Sequence, residues 1–305
     1  MGRSSLFLLI LLGAAAPTGD IPLREARWIA PGRDAVAMLT REPSECLRRT
    51  KDPVAAMSIE IGRAAFRNPL LLGGQAARVG LSCNSCHRSG HGNPDFVFPG
   101  VSGEPGTADV TSSLMSSQRG DGINNPKPIP DLSGPRERLK VHDGIDRFVH
   151  GLIVEEFDGI APPPRVVAGL VSYVGALSAS ACPSDGSVPV TLMARLEDVR
   201  RAVRAADAAL SVGDGATAKI MLSSARYMLG VIDERFSDPA LGDHREVLQR
   251  ASAAIAAIPV GDSAEGHRRI SVWLSGQRRW AGALLRDEPL TLFNPDRVRS
   301  AAVSQ

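Results

Sequence analysis

Apolar residues recur along most of this chain every three to four positions and scarcely ever alternate, a pattern that predicts helices and little sheet. Val54, Met57, Ile61, Ala65 and Phe66 form one such stripe, opened by Pro53 and closed by Asn68-Pro69. Leu152, Val154 and Phe157 form a second and Val166, Val167, Leu170, Val171, Val174 and Leu177 a third, with the hinge Pro162-Pro163-Pro164 between them. After a linker at 183–189, the stripe Leu192, Leu196, Val199, Val203, Ala206 and Leu210 runs to Gly213-Asp214-Gly215. Ile220, Tyr227, Met228, Val231 and Ile232 follow, up to Ser237-Asp238-Pro239, and then Val247, Leu248, Ala251, Ile255 and Ile258, up to Pro259. Ile270, Trp273, Leu274, Trp280, Leu284 and Leu285 make the last stripe. The expected fold is all-α, with residues 19–185 as one domain and residues 186–305 as a C-terminal bundle of about four up-and-down helices. A helical solenoid is the alternative, but no fixed period supports it. Residues 21–50 mix short apolar clusters with prolines and read as an irregular arm.

Residues 88–138 break the pattern, being rich in Gly, Pro, Asp and Ser with too little periodic hydrophobicity for a long helix or a sheet. A loop of this length inside a compact domain is functional or is wrapped around something. Immediately before it stands Cys83-Asn84-Ser85-Cys86-His87. Cys-x-x-Cys-His is the attachment sequence of a c-type haem: two thiols reach one edge of the porphyrin, and the histidine after the second lies under the iron. The site residues are therefore Cys83 and Cys86 as thioether donors and His87 as the proximal iron ligand, for one haem c per chain. Two other chemistries use the same residues, namely a zinc knuckle of Cys83, Cys86, His87 and His91, or a dithiol redox pair.

Composition narrows this further. In 305 residues, 35 basic and 33 acidic side chains leave a net charge of +2, too balanced to imply nucleic acid or an anionic membrane as partner. Arg3, the apolar run Leu6 to Leu12 and the small residues Gly13 to Ala16 follow the order of a secretory signal, so residues 1–18 are read as the signal segment, with the cut expected to one side of Pro17, near Ala15. The run is too short to span a bilayer, so no stable membrane span is expected after cleavage, and the mature chain is expected in the periplasm. That compartment is where haem c is attached and where spare thiols pair, which makes Cys46 and Cys182 the expected disulfide.

The stretch Ile61-Gly62-Arg63-Ala64-Ala65-Phe66-Arg67-Asn68-Pro69-Leu70-Leu71, the Gly-rich connection and Leu81-Ser82-Cys83-Asn84-Ser85-Cys86-His87 resemble one haem-binding half of the bacterial di-haem cytochrome c peroxidase family, which includes the methylamine-utilisation di-haem enzymes. Val141-His142-Asp143-Gly144 is similar to that family's His-x-Gly turn, and the likeness covers roughly residues 54 to 180. It implies a cytochrome c-like domain whose helix 166–177 crosses the helix 54–66 beside the haem edge. The family's peroxidases use two haems, and this chain holds a single motif. Where the family's electron-transfer haem takes Met or Tyr, this chain reads Ile153-Val154-Glu155-Glu156-Phe157. The iron face opposite His87 is therefore assigned from the residues themselves: Met115 first, then His142, and after them His150 and His91. Arg119, Asp121 and Lys127 read first as solvated loop charges, with a role beside the haem propionates as the alternative. The resulting expectation is an electron carrier working with another cytochrome or a periplasmic oxidoreductase. The alternative is a peroxidase-like enzyme with an open iron site, an external electron donor and His142 or Glu155 as acid or base. A third reading has the haem chiefly ordering the loop.

Overall fold

The computed structural model describes residues 21–118, 120–134 and 144–303. The segment read as a signal, Arg119 and His142 lie outside the described residues. The fold is mostly helical. Among the described residues no helix is long and apolar enough to cross a membrane.

The first half begins with a short helix α1 (Ala35–Thr40), the strand β1 (Arg41–Pro43) and the helix α2 (Pro53–Phe66). Asp52 caps α2 by accepting the Val54 amide, and Pro53 occupies the first turn, where its missing N–H costs nothing. Two short helices follow, α3 (Gly74–Val79) and α4 (Cys83–Cys86). Among its described residues, the long irregular stretch then carries only two-residue ladders: β2 (His87–Arg88) with β3 (His91–Gly92), and β4 (Thr107–Ala108) with β5 (Lys127–Pro128). After α5 (Ile145–Gly151) and one π-helical turn at Leu152–Glu156, the proline segment leads into α6 (Pro164–Ala176).

Helix α6 lies across α2, and glycine sets their distance. A Cβ on Gly62 would stand 1.9 Å from the Gly169 carbonyl oxygen, and one on Gly169 would stand 2.9 Å from the Gly62 nitrogen. Two backbones this close leave no room for a side chain. Gly62→Ala is therefore expected to push the helices apart and lower stability by about 1–3 kcal/mol, read as a lower urea midpoint at unchanged slope.

The second half holds α7 (Leu192–Leu210), α8 (Gly215–Arg235), α9 (Gly242–Ala256), α10 (Ser263–Arg286) and α11 (Pro295–Val303). Side-chain caps at Thr191, Asp214 and Asp262 start α7, α8 and α10. The Gly213-Asp214-Gly215 connection serves this purpose: Gly213 takes a left-handed φ of 73°, and Asp214 accepts from Thr217 at 2.9 Å. Helix α7 packs on α8 and α10, and α9 packs on both of those, so the four close a ring. Helix α2 packs on α7 and α8, which makes one hydrophobic core continuous from Phe66 and Leu71 to Val203, Leu229 and Trp273.

The ends of the chain differ from their sequence pattern. The arm at 21–50 is docked: Ile21, Leu23, Ala26, Ile29 and Leu39 form a second core with Leu292 and Val298, the latter from α11. The segment read as a linker carries β6 (Ser187–Pro189), paired antiparallel with β1. Both pairings join residues more than 140 positions apart, which a local pattern does not report.

Candidate functional site

Cys83 and Cys86 are the first and last residues of α4, three positions apart, and so share one face of it. The helix is only four residues long and is held by its start, where Ser82 and Ser85 exchange a capping box. Asn93 fastens it to the hairpin β2–β3: its amide N–H donates to the Cys86 carbonyl at 3.0 Å, and its side chain donates to the Ser85 carbonyl at 3.0 Å. The hairpin turns on Ser89 and Gly90, whose φ values of 53° and 88° are those of a two-residue turn with both central residues left-handed. Serine is unusual there, and the Asn84 side chain compensates by accepting the Ser89 N–H at 3.0 Å.

His87 leaves α4 with one ring nitrogen already committed. Its Nδ1 lies 3.0 Å from the Pro130 carbonyl oxygen, which can only accept, so Nδ1 carries the proton. Pro130 comes within reach because residues 129–132 run against the hairpin. Leu132 donates to the Gly90 carbonyl at 2.9 Å, and a Cβ on Gly92 would stand 2.6 Å from the Ile129 oxygen. Burial lowers the His87 pKa, an effect opposed by the Pro130 carbonyl and by Asp131, and the neutral ring leaves its lone pair on Nε2. No hydrogen bond to Nε2 is found among the described residues. The Phe66 ring lies 6.4 Å from that of His87 and 5.1 Å from that of Tyr173, centroid to centroid.

Both thiols are free, half-buried and packed against the main core. Burial pushes each up to about 12, with the neighbouring Cys83 adding to the effect on Cys86. A dithiol exchange pair needs a thiolate near neutral pH, so this environment opposes that chemistry. It suits a thiol that adds as S–H across a carbon–carbon double bond. The donor set therefore fits a covalently held haem: two neutral thiols on one face, packed against the main apolar core, and an imidazole nitrogen fixed as an acceptor.

The zinc knuckle is corrected by His91. Its Nδ1 faces Asp131 at 3.0 Å and its Nε2 faces the Ser44 carbonyl at 3.1 Å and the Cys46 sulfur at 3.4 Å. Those contacts turn the ring away from Cys83 and Cys86, and the potential metal ligands that converge among the described residues are Cys46, His91 and Cys182. The same contacts remove His91 as a ligand opposite His87. His150 is exposed on α5 and Glu155 is exposed in the turn after it. Met115 is fully buried in the core that the two thiols pack against, with its amide N–H donating to Ser113 Oγ at 3.3 Å. Asp121 accepts from the Ile123 amide and from Ser112, so it ties down the loop, and Lys127 is exposed on β5. Cys46 and Cys182 are joined by a disulfide.

A buried charge network beside the site has no counterpart in the motif. Glu45 accepts from Arg63 at 2.7 Å, from Arg67 at 2.8 Å and from the Tyr173 hydroxyl at 2.6 Å, and Arg63 continues to Asp198 on α7 at 3.0 Å. The only signal in the sequence was the place of Arg63 and Arg67 in the stretch before the motif. Their acidic partners come from an arm in which no chemistry was legible and from the second half of the chain.

No family model matches the chain, and no curated protein or solved structure matches it.

Proposed function

We propose that the protein is an exported c-type cytochrome that carries one covalently attached haem and transfers electrons. The observation that carries this reading is His87, whose Nδ1 is committed to Pro130 O while Nε2 has no hydrogen-bond partner among the described residues, directly after a helix that carries two neutral thiols. A haem bound there supplies a one-electron iron couple. The chain's own residues do the rest. Cys83 and Cys86 tether one edge, and the Pro130 carbonyl fixes the His87 tautomer and ring plane and makes its free nitrogen a stronger donor. Phe66 and Tyr173 wall the histidine side. The close crossing of α2 and α6 supports the cytochrome c-like reading of the first half, and the ring formed by α7, α8, α9 and α10 supports an up-and-down bundle in the second. The likeness to one half of the di-haem peroxidase family points the same way.

Opposite His87 we assign Met115, because a fully buried thioether in an apolar core is a soft, uncharged donor held away from water. Met115→Ala is expected to convert a low-spin iron to high-spin and to let the ferrous protein bind carbon monoxide. An unchanged absorption spectrum would move the assignment to His142. The peroxidase-like alternative needs an iron open in the wild-type protein, and the carbon monoxide difference spectrum decides between the two. The exposed side chain of Glu155 favours electron transfer, since an acid or base for peroxide cleavage would have to face the haem; His142, the other residue read for that role, lies outside the described residues. A periplasmic cytochrome or oxidoreductase is the proposed redox partner.

A further inference from the structure

We infer that the Cys46–Cys182 disulfide is a thiol-exchange site, addressed at Cys182 by a dithiol, and that its state is transmitted to His87. The two sulfurs are unlike. Cys46 is 1 % exposed, whereas Cys182 is exposed at the surface. An incoming thiolate therefore reaches Cys182, and Cys46 is the leaving group. A leaving thiolate in a buried site needs a proton or a positive dipole, and His91 provides one, with Nε2 3.4 Å from Cys46 Sγ. That nitrogen carries a hydrogen because it also faces the Ser44 carbonyl at 3.1 Å, which only accepts. Asp131 holds the ring from the other side, 3.0 Å from Nδ1. A disulfide serving only to staple the chain has no use for an imidazole oriented in this way on its buried sulfur.

In the exchange, one thiolate of the dithiol bonds to Cys182 Sγ. The Cys46–Cys182 bond breaks, its electron pair stays on Cys46, and the His91 Nε2–H hydrogen-bonds the developing thiolate until solvent protonates it. The second thiolate of the dithiol then attacks its own sulfur in the mixed disulfide and expels Cys182, which is protonated from solvent. Two electrons pass from the dithiol to the protein, the two protons come from solvent, and the dithiol leaves as its own disulfide.

The path to the motif is short. Asp131, the partner of His91, follows Pro130, whose carbonyl holds His87 Nδ1. Opening the disulfide removes the covalent tie on Cys46 Sγ, the atom that His91 Nε2 contacts, while Glu45 stays held by Arg63, Arg67 and Tyr173; a shift of the His91 ring is then passed through Asp131 to the adjoining Pro130 carbonyl that clamps His87. This second half rests on His87 being an iron ligand; the exchange itself does not.

The test uses the full-length exported protein with its haem. It is treated with dithiothreitol without denaturant, quenched with an alkylating reagent and mapped by mass spectrometry. Cys46 and Cys182 are expected to become labelled, and with glutathione as a one-thiol probe the adduct is expected on Cys182. His91→Gln is expected to slow native reduction about tenfold by removing the imidazole N–H that hydrogen-bonds the leaving sulfur, with Asp131→Asn slowing it less. The ferrous absorption bands are expected to shift on reduction. Thiols that appear only in denaturant, an adduct on Cys46, or equal rates in both variants and wild type would overturn the exchange site. Protection of the reduced thiols by one added Zn2+ per chain would make Cys46, His91 and Cys182 a metal site instead. Unshifted bands in a fully reduced protein would overturn the transmission to His87, and a preparation without covalent haem would sink the cytochrome reading while leaving the labelling result intact.

Discussion

Replacing both Cys83 and Cys86 with serine is expected to abolish covalent haem, so that no haem-stained band survives denaturing electrophoresis of the exported protein. The argument is one of bonds. The two thiols share one face of α4, neither is engaged in a disulfide, and both are uncharged in their surroundings. Serine keeps the size and the helix but cannot form a thioether. Either single substitution leaves one bond and is expected to give a stained product in lower yield. His87→Ala is expected to behave differently: attachment survives, but the iron loses its fixed donor, and the low-spin spectrum goes with it. A double-serine variant that stained like wild type would end the proposal.

Glu45→Gln is expected to cost about 3–5 kcal/mol, the range for breaking one partner out of a buried ion pair, and to do so without altering haem attachment. Arg67 has Glu45 as its only carboxylate at ion-pair distance among the described residues, and both side chains are nearly enclosed, at 11 % and 15 % exposed. Glutamine keeps the shape and loses the charge, leaving one guanidinium uncompensated and weakening the bond from the Tyr173 hydroxyl. The pH dependence has a definite sign. Burial alone would raise the Glu45 pKa, but Arg67, Arg63 and the Tyr173 hydroxyl outweigh it and bring the group from an ordinary 4.5 down to about 2. The folded state therefore holds its proton less tightly than the unfolded chain, and stability falls as acid is added. The contribution is complete above the unfolded value near 4.5 and is lost as the pH drops towards 2. In urea titrations at a series of pH values, wild type should lose stability across that window, and the difference from Glu45→Gln should shrink as it does. A constant difference down to pH 2 would show that the Glu45 charge does not carry the effect.

The helices were legible from the sequence because each depends on residues within a few positions of one another. The stripes of α2, α6 and α7 to α10 appear where the spacing put them, and the caps Asp52, Thr191, Asp214 and Asp262 stand one residue ahead. Helix α11 was missed because only Val298 along it is fully buried, which is too little to make a stripe.

The two thiols and the histidine could likewise be named from five consecutive residues, since a four-residue helix with a histidine after it is a local object. What the histidine does there was decided in three dimensions. Pro130 is 43 positions from His87, and it reaches the ring only because a segment of the long loop folds back on the hairpin where Gly92 admits it. His91, close to the thiols in sequence, is turned by Asp131 and Ser44 towards Cys46, and the zinc reading ends with that rotation. Glu45 gives no sign in the sequence of its part in the core, since its partners come from α2 and α6. Residue spacing therefore settled the helices and picked out the Cys83-to-His87 run, for which neighbouring residues suffice. The proton on His87, the orientation of His91 and the charge on Glu45 were set by packing between distant segments, because a group's hydrogen bonds and solvation belong to whatever the fold brings beside it.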